Sequence, residues 1–205
     1  GKVNLSADRV FSQQDTEVII ASGNVVIEYE DIAISAQELC FDTHKNIVWG
    51  TGNILVSRGE DMFKTKHVFL DLKSKNIKLR DISLAVQPPD SKEILYIRAK
   101  TIEDDGTLKK GRGGVFTSCK LPKEPHYAIY SDVFEYYTND KVIGYNNWMS
   151  NAFAFVPLYS PYYYYELGQR DIVWNFPSIG KKETPGWGWF AQNTIDYNNI
   201  EGKDS

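Results

Sequence analysis

An internal repeat with a step of 29 residues limits the possible folds more than any other feature of this chain. The segment Ala-Ser-Gly-Asn-Val-Val-Ile at residues 21–27 recurs as Gly-Thr-Gly-Asn-Ile-Leu-Val at residues 50–56. The same step separates Ala36 from Thr65, and looser copies follow, so that we count about five units. A short unit of this kind cannot bury its own apolar face. Tandem copies therefore have to stack on one another.

Within each unit the apolar residues recur with a period of two. Val25, Ile27 and Tyr29 alternate with polar or small neighbours, and polar turns such as residues 42–46 and 73–76 separate the runs. Short alternating runs bounded by turn residues indicate strands with one buried face. The sequence therefore predicts an all-β fold of about five stacked repeats.

Stacked repeats would place their apolar residues in one continuous strip. Alternation alone does not distinguish a filled core from an open trough, so the strip could be either. The first strands also present a sheet edge that another β protein could extend. The predicted strip consists of Ile20, Val25, Ile27, Ile34, Phe41, Ile47, Trp49, Ile54, Val56, Phe63, Leu70, Ile77, Leu79, Ile97, Ile102, Phe134 and Tyr136.

Composition excludes several classes of function. The net charge is -4 with both signs interspersed, which leaves no basic face for nucleic acid. The two cysteines, Cys40 and Cys119, are too few for a disulfide scaffold and lack the spacing of metal ligands. They could pair with each other, stay free or have partners elsewhere. We predict no catalytic residues, no cofactor and no metal site.

One basic cluster interrupts the repeats at residues 109–112, with the sequence Lys-Lys-Gly-Arg. It could contact lipid phosphates, although a charged turn explains it better. The Glu-Asp-Asp-Gly run at residues 103–106 resembles the start of a calcium loop but lacks the later ligands, so we predict a solvated turn.

The pattern changes at residue 148. Residues 148–165 are apolar and aromatic, with prolines that argue against a central strand. In residues 186–192, Trp187 and Trp189 would share one face of a strand. Such features are typical of outer-membrane β-barrels, but a Tyr-rich surface loop followed by an edge strand would also explain them. We therefore divide the chain into residues 1–147 and 148–205.

The motifs resemble a known family. The repeats are similar to the OstA-like modules of lipopolysaccharide transport proteins. Phe-Thr-Ser-Cys at residues 116–119, Pro-His-Tyr-Ala-Ile at 125–129 and Val-Pro-Leu-Tyr-Ser-Pro-Tyr-Tyr at 156–163 follow one another as in the LptD family of outer-membrane assembly proteins. Arg170 and residues 176–186 continue that order, so the similarity covers nearly the whole chain.

The resemblance implies a β-jellyroll in the periplasm, with an apolar trough that accepts the acyl chains of lipopolysaccharide or a related glycolipid. It implies that residues 148–205 begin a β-barrel in the outer membrane, which an LptE-like lipoprotein plugs. An LptA-like bridge protein would dock on the N-terminal β edge. Cys119 would pair with a cysteine of the barrel, a region outside this chain. The family is not enzymatic and uses no cofactor.

Two alternatives remain at this stage. One is a soluble OstA-like bridge module of the periplasm without a barrel. The other is a secreted β-solenoid that binds or cleaves polysaccharide. That alternative requires a column of carboxylates or basic residues along one outer face of consecutive units, and the sequence has no such column.

Overall fold

The computed structural model describes residues 2–13, 17–87, 94–119, 125–151 and 154–167, together with four short strands after residue 171. Every secondary-structure element that it describes is a β-strand, so the all-β prediction is confirmed. Among these residues, no helix has the length and apolar character needed to cross a membrane. The chain divides into two compact units, Gly1–Leu167 and Gly168–Ser205.

The first unit is one open antiparallel sheet of twelve strands. Strands that follow one another from β3 to β12 are also neighbours in the sheet, whereas β1 and β2 both pair with β3. The strands are β1 (Asn4–Ser6), β2 (Arg9–Gln13), β3 (Val18–Tyr29), β4 (Ile32–Asp42), β5 (Ile47–Arg58), β6 (Asp61–Asp71), β7 (Asn76–Val86), β8 (Leu95–Asp104), β9 (Lys109–Thr117), β10 (Tyr127–Tyr137), β11 (Lys141–Asn151) and β12 (Ala154–Glu166).

The second unit contains two short strand pairs. Strands β13 (Ile172–Trp174) and β16 (Ile195–Tyr197) pair with each other, as do β14 (Ser178–Lys181) and β15 (Trp189–Gln192). The strand predicted around the two tryptophans of residues 186–192 is described only from Trp189 onward. Trp187, like Arg170, lies outside the described residues.

The sheet continues past the boundary that we placed after residue 147. That position falls within β11, and the first unit extends to Leu167. The aromatic segment that begins at residue 148 therefore contributes the end of β11 and all of β12 to the sheet. Its prolines, Pro157 and Pro161, lie in an edge strand, where the missing N–H does not interrupt a ladder on both sides.

The long strands bend near their middle. In β6, Thr65 and Val68 are buried, while Lys66 and His67 between them are both exposed. A regular strand alternates strictly between its two faces, so two outward residues in succession mark a change of direction. The same change occurs at residues 37–38, 80–81, 100–101, 112–113, 132–133 and 145–146.

The Gly-Asn pair of the repeat produces the corresponding bends in β3 and β5. The pairing of β3 with β4 gains one residue between Ser22 and Val25, and the pairing of β5 with β6 gains one between Thr51 and Ile54. Gly23 at the first bulge has φ of 78°, a conformation that glycine adopts without steric cost. The recurring motif therefore encodes a β-bulge.

The bends align across the sheet and fold it into two layers with one hydrophobic core between them, as in a jellyroll. We call these layers A and B. Layer A contains residues 25–36, 54–65, 82–86, 95–99, 114–117, 127–131, 147–150 and 158–160. Layer B contains residues 18–22, 38–51, 67–80, 101–112, 133–145 and 162–166.

Candidate functional site

The apolar interior between layers A and B is the candidate site. Most of the predicted strip lies there, and Phe41, although only half-buried, packs against the same core. These inward side chains are almost inaccessible to solvent, so the interior is a closed core rather than an open trough. The predicted residues that are buried in this core are Val25, Ile27, Ile34, Ile54, Val56, Phe63, Leu70, Ile77, Leu79, Ile97, Ile102, Phe134 and Tyr136.

Three predicted strip residues lie on the outer face instead. Trp49 is the cross-strand partner of Phe69, which is exposed, and directly opposed residues share a face of the sheet. Ile47 precedes Trp49 by two positions in the same strand and shares its face. Ile20 is opposite Cys40, which is in turn opposite Trp49. We predicted these three residues in the interior by following the alternation along the whole strand. The bends change which residues of the strand face inward, so the prediction was wrong at these positions.

Glycines make room for aromatic side chains at the centre of the interior. The rings of Phe116 and Phe134 meet edge to face, with centroids 5.1 Å apart. Gly111 is the cross-strand partner of Phe134, and a Cβ added to Gly111 would lie 2.0 Å from Cζ of that ring. The glycine of the Lys-Lys-Gly-Arg cluster therefore faces the core, and its role is to accept the ring.

A buried ion pair connects the two layers on the side away from the bends. The Lys109 ammonium lies 2.9 Å from the Asp61 carboxylate, and both side chains are almost fully buried. Asp61 also accepts hydrogen bonds from the hydroxyls of Tyr136 and Thr138. Burial, together with the bond to Asp61, raises the pKa of Tyr136 far above its usual value, so this phenol stays protonated and donates.

A second ion pair lies beside the first. Nη1 of Arg58 is 3.2 Å from Oδ1 of Asp104, which is only 1% exposed, and also donates to the carbonyl oxygen of Lys75. Nε of the same guanidinium contacts Asp31 at 3.3 Å. Among the described residues, no group donates a hydrogen bond to the other carboxylate oxygen of Asp104, which is also buried.

These four charged residues, Arg58, Asp61, Asp104 and Lys109, form what we call the ionic seam. Arg58 and Asp61 flank the β5–β6 turn of layer A, while Asp104 and Lys109 flank the β8–β9 turn of layer B. Arg58 and Asp104 are 46 positions apart, so no local pattern reveals the contact. The sequence assigned Asp104 and Lys109 to solvated turns, but the structure buries both.

The two cysteines form no disulfide with each other. Cys40 is half-buried on the outer face, where burial raises the pKa of its thiol and the charge of Glu38 adds to that effect. Cys119 is buried, and its Sγ lies 3.5 Å from Nδ1 of His126. Pairing of Cys119 with a cysteine outside this chain stays a prediction.

The outer surface of β10–β12 is aromatic. Tyr130 is the cross-strand partner of Trp148, which is opposite Tyr159, and all three are exposed. The rings of Trp148 and Tyr159 are 5.1 Å apart. The same face of β9 carries Lys110 and Arg112, so the outer surface changes from charged to aromatic toward the β12 edge.

Turn aspartates make the stability of the sheet dependent on pH. The backbone N–H of Lys45 donates to Asp42 and lowers the pKa of that carboxyl, and the N–H groups of Leu108 and Thr107 do the same for Asp105. A carboxyl group whose pKa is lower in the folded chain than in the unfolded chain stabilises the fold at pH values above its ordinary pKa of 3.8. That stabilisation is lost as the pH falls through the lower folded values.

We therefore expect the urea midpoint to fall as the pH is lowered from about 5 to about 2. Asp105→Asn retains an acceptor but cannot titrate, so the variant should lose less stability over this interval. A wild-type midpoint that is constant throughout the interval would contradict the assignment.

No group of three or more His, Cys, Asp or Glu side chains that could hold a metal ion occurs in the part of the chain that the structure describes. The candidate site is therefore defined by its apolar interior, the ionic seam and the two sheet edges. No protein-family model and no curated protein matches the sequence.

Proposed function

We propose that this chain is the periplasmic part of an outer-membrane lipopolysaccharide translocon. In this role the interior between the layers shields the acyl chains of lipid A, and the glycolipid passes along the module to a barrel for insertion in the outer leaflet. The chain performs no chemistry on its cargo.

The observation that carries this proposal is an apolar interior that crosses the whole sheet. It extends from Ile27 in β3 to Tyr163 in β12, and its residues form one continuous cluster. The strands at the two sides, β1 with β2 and β12, do not pair with each other among the described residues. An apolar path between two unpaired edges suits a cargo that enters at one side and leaves at the other.

The energetics of transfer also suit acyl chains. Burial of a methylene contributes about 0.8 kcal/mol, so an acyl chain of about twelve carbons gains on the order of 10 kcal/mol when it leaves water. This gain needs no polar recognition of the chain. Branched aliphatic residues such as Ile34, Ile97 and Ile102 provide such surroundings.

The lipid content of the purified protein tests the proposal. The full-length protein, purified from a diderm bacterium without detergent, should retain glycolipid that native mass spectrometry resolves and that chloroform–methanol extracts. A control protein of similar size from the same periplasmic fraction should carry none. Recovery of the protein without acylated lipid under these conditions would contradict the proposal.

The edge formed by β1 and β2 is the expected docking site for an LptA-like bridge protein. Val10 and Phe11 in β2 are 53% and 59% exposed. An unpaired edge strand with exposed apolar side chains can accept a further strand from another protein.

Phe11→Lys is expected to weaken this docking at least about tenfold, because lysine on an edge strand opposes strand addition. Pull-down of a purified bridge protein by the full chain measures the effect. Met62→Lys replaces another exposed apolar residue, in the interior strand β6, and should leave docking unchanged. Equal loss in both variants would show that docking does not depend on the β1–β2 edge.

A soluble bridge module is the second candidate, because neither edge strand of the twelve-stranded sheet pairs with a further strand among the described residues. Cell fractionation of the full-length protein separates the two candidates. The translocon requires a protein that stays with the outer membrane after carbonate extraction, whereas a bridge module is released.

A further inference from the structure

The interior is filled by its own side chains, so acyl chains can enter only if the two layers separate. We propose that the ionic seam is a latch that holds layers A and B together, and that it opens at each passage of lipid while the row of bends acts as the hinge. This inference rests on the proposed function and specifies how access to the same interior is controlled.

The position of the seam fits a latch. The bends run along one side of the folded sheet, and the seam joins the turns on the opposite side. Around the ion pairs, Lys75 of layer B contacts Glu30 of layer A, and Asn139 of layer B contacts Glu60 of layer A. Every one of these contacts would be broken by separation of the layers.

The opposite side has the features of a hinge. The chain has positive φ angles at six described positions in bends, which are Gly23, Asn24, Gly52, Asp81, Gly113 and Asn146. Three of the six are glycines, whose backbone can change dihedral angles with little steric cost. Hinge motions between domains likewise rotate the backbone at a few residues that absorb large changes in φ and ψ.

The chemistry of the seam favours reversible opening. A buried ion pair adds little net stability, because its attraction mainly offsets the loss of hydration of its charges. When the layers separate, all four charged groups regain water. An apolar seam would gain no hydration on opening.

A removable covalent bridge tests the latch directly. Glu60→Cys and Asn139→Cys place thiols on two exposed residues that face each other across the seam. Cys40→Ala and Cys119→Ala remove the native thiols. A short bis-methanethiosulfonate reagent then joins the layers, and dithiothreitol releases them. Uptake of lipid A from micelles by the full chain is followed by native mass spectrometry.

The bridged protein should take up roughly tenfold less lipid A than the same protein after reduction. Equal uptake in the two states would overturn the latch while leaving the proposed function intact. If neither the bridged nor the reduced protein nor the wild type takes up lipid A, both the latch and the proposed function are rejected.

A second variant weakens the latch without a crosslink. Lys109→Gln removes one partner of an ion pair and leaves the Asp61 carboxylate buried without its counter-charge, which makes the closed state less stable. Uptake should be roughly tenfold faster than in the wild type. The control, Lys78→Gln, removes one partner of an ion pair on the exposed face, and its uptake should equal that of the wild type. Wild-type uptake in the seam variant as well would overturn the proposal.

Discussion

Ile27→Asp is expected to destabilise the first unit by about 5 kcal/mol or more, enough to unfold a domain of ordinary stability. Ile27 is 1% exposed in the core between the layers. The substitution removes the apolar contacts of a full side chain and places a carboxyl group among the buried apolar residues of the core. The urea midpoint of the full chain, followed by circular dichroism, measures the loss.

Ile20→Asp is the matched control, because it makes the same substitution in the same strand on the opposite side of the bend. Ile20 lies on the outer face, half-buried. Its replacement should cost only about 1 kcal/mol. Comparable losses in both variants would contradict the assignment of the two faces of β3.

Gly111→Ala should cost about 3 kcal/mol, because the new methyl group would occupy the space of the Phe134 ring. The ring cannot retreat easily, since Phe116 packs against it edge to face. Alanine is ordinarily more favourable than glycine within a strand, by about 0.5–1 kcal/mol, so a large loss of stability would identify a steric cause. Thermal or urea unfolding provides the measurement.

A double-mutant cycle isolates that cause. In a Phe134→Leu background the smaller side chain leaves room, so Gly111→Ala should cost at least about 1 kcal/mol less than in the wild type. If the two substitutions are additive, Gly111 acts through backbone conformation rather than through the ring.

The sequence predicted the strands well because their signal is local. Alternation at Val25, Ile27 and Tyr29 depends only on neighbours two positions apart, and the structure places all three in the core. The stacking of repeats also follows from residues nearby in the chain. For this reason most of the predicted strip lies between the layers.

The bends limited what alternation could predict. A bulge shifts the phase of burial without changing the apolar composition of a strand. The apolar residues of β5 therefore look like one alternating run on a single face, made of Ile47, Trp49, Ile54 and Val56. In the structure, Ile47 and Trp49 face outward. The Gly-Asn motif was visible as a repeat, but its effect on direction depends on the backbone conformation of Gly23.

The ionic seam could not be predicted, because it depends on how the sheet folds over. Asp61 meets Thr138 across 77 positions of sequence, after two layers and several turns have been arranged. Charged residues beside turns are usually solvated, so Lys109 and Asp104 had no local feature that indicated burial. Aromatic residues from residue 148 onward suggested a change of environment for a related reason, and the structure places β12 in the same sheet as the repeats.

Photocrosslinking in growing diderm bacteria tests most directly whether the interior carries lipid. A photoreactive amino acid is introduced in the full-length protein at Ile27 or Ile54, which face the interior, and at Glu28 or Lys45, which face solvent. If acyl chains pass between the layers, glycolipid adducts are expected from the two interior positions and none from the two exposed positions. Adducts from Glu28 and Lys45 alone would contradict transport through the interior.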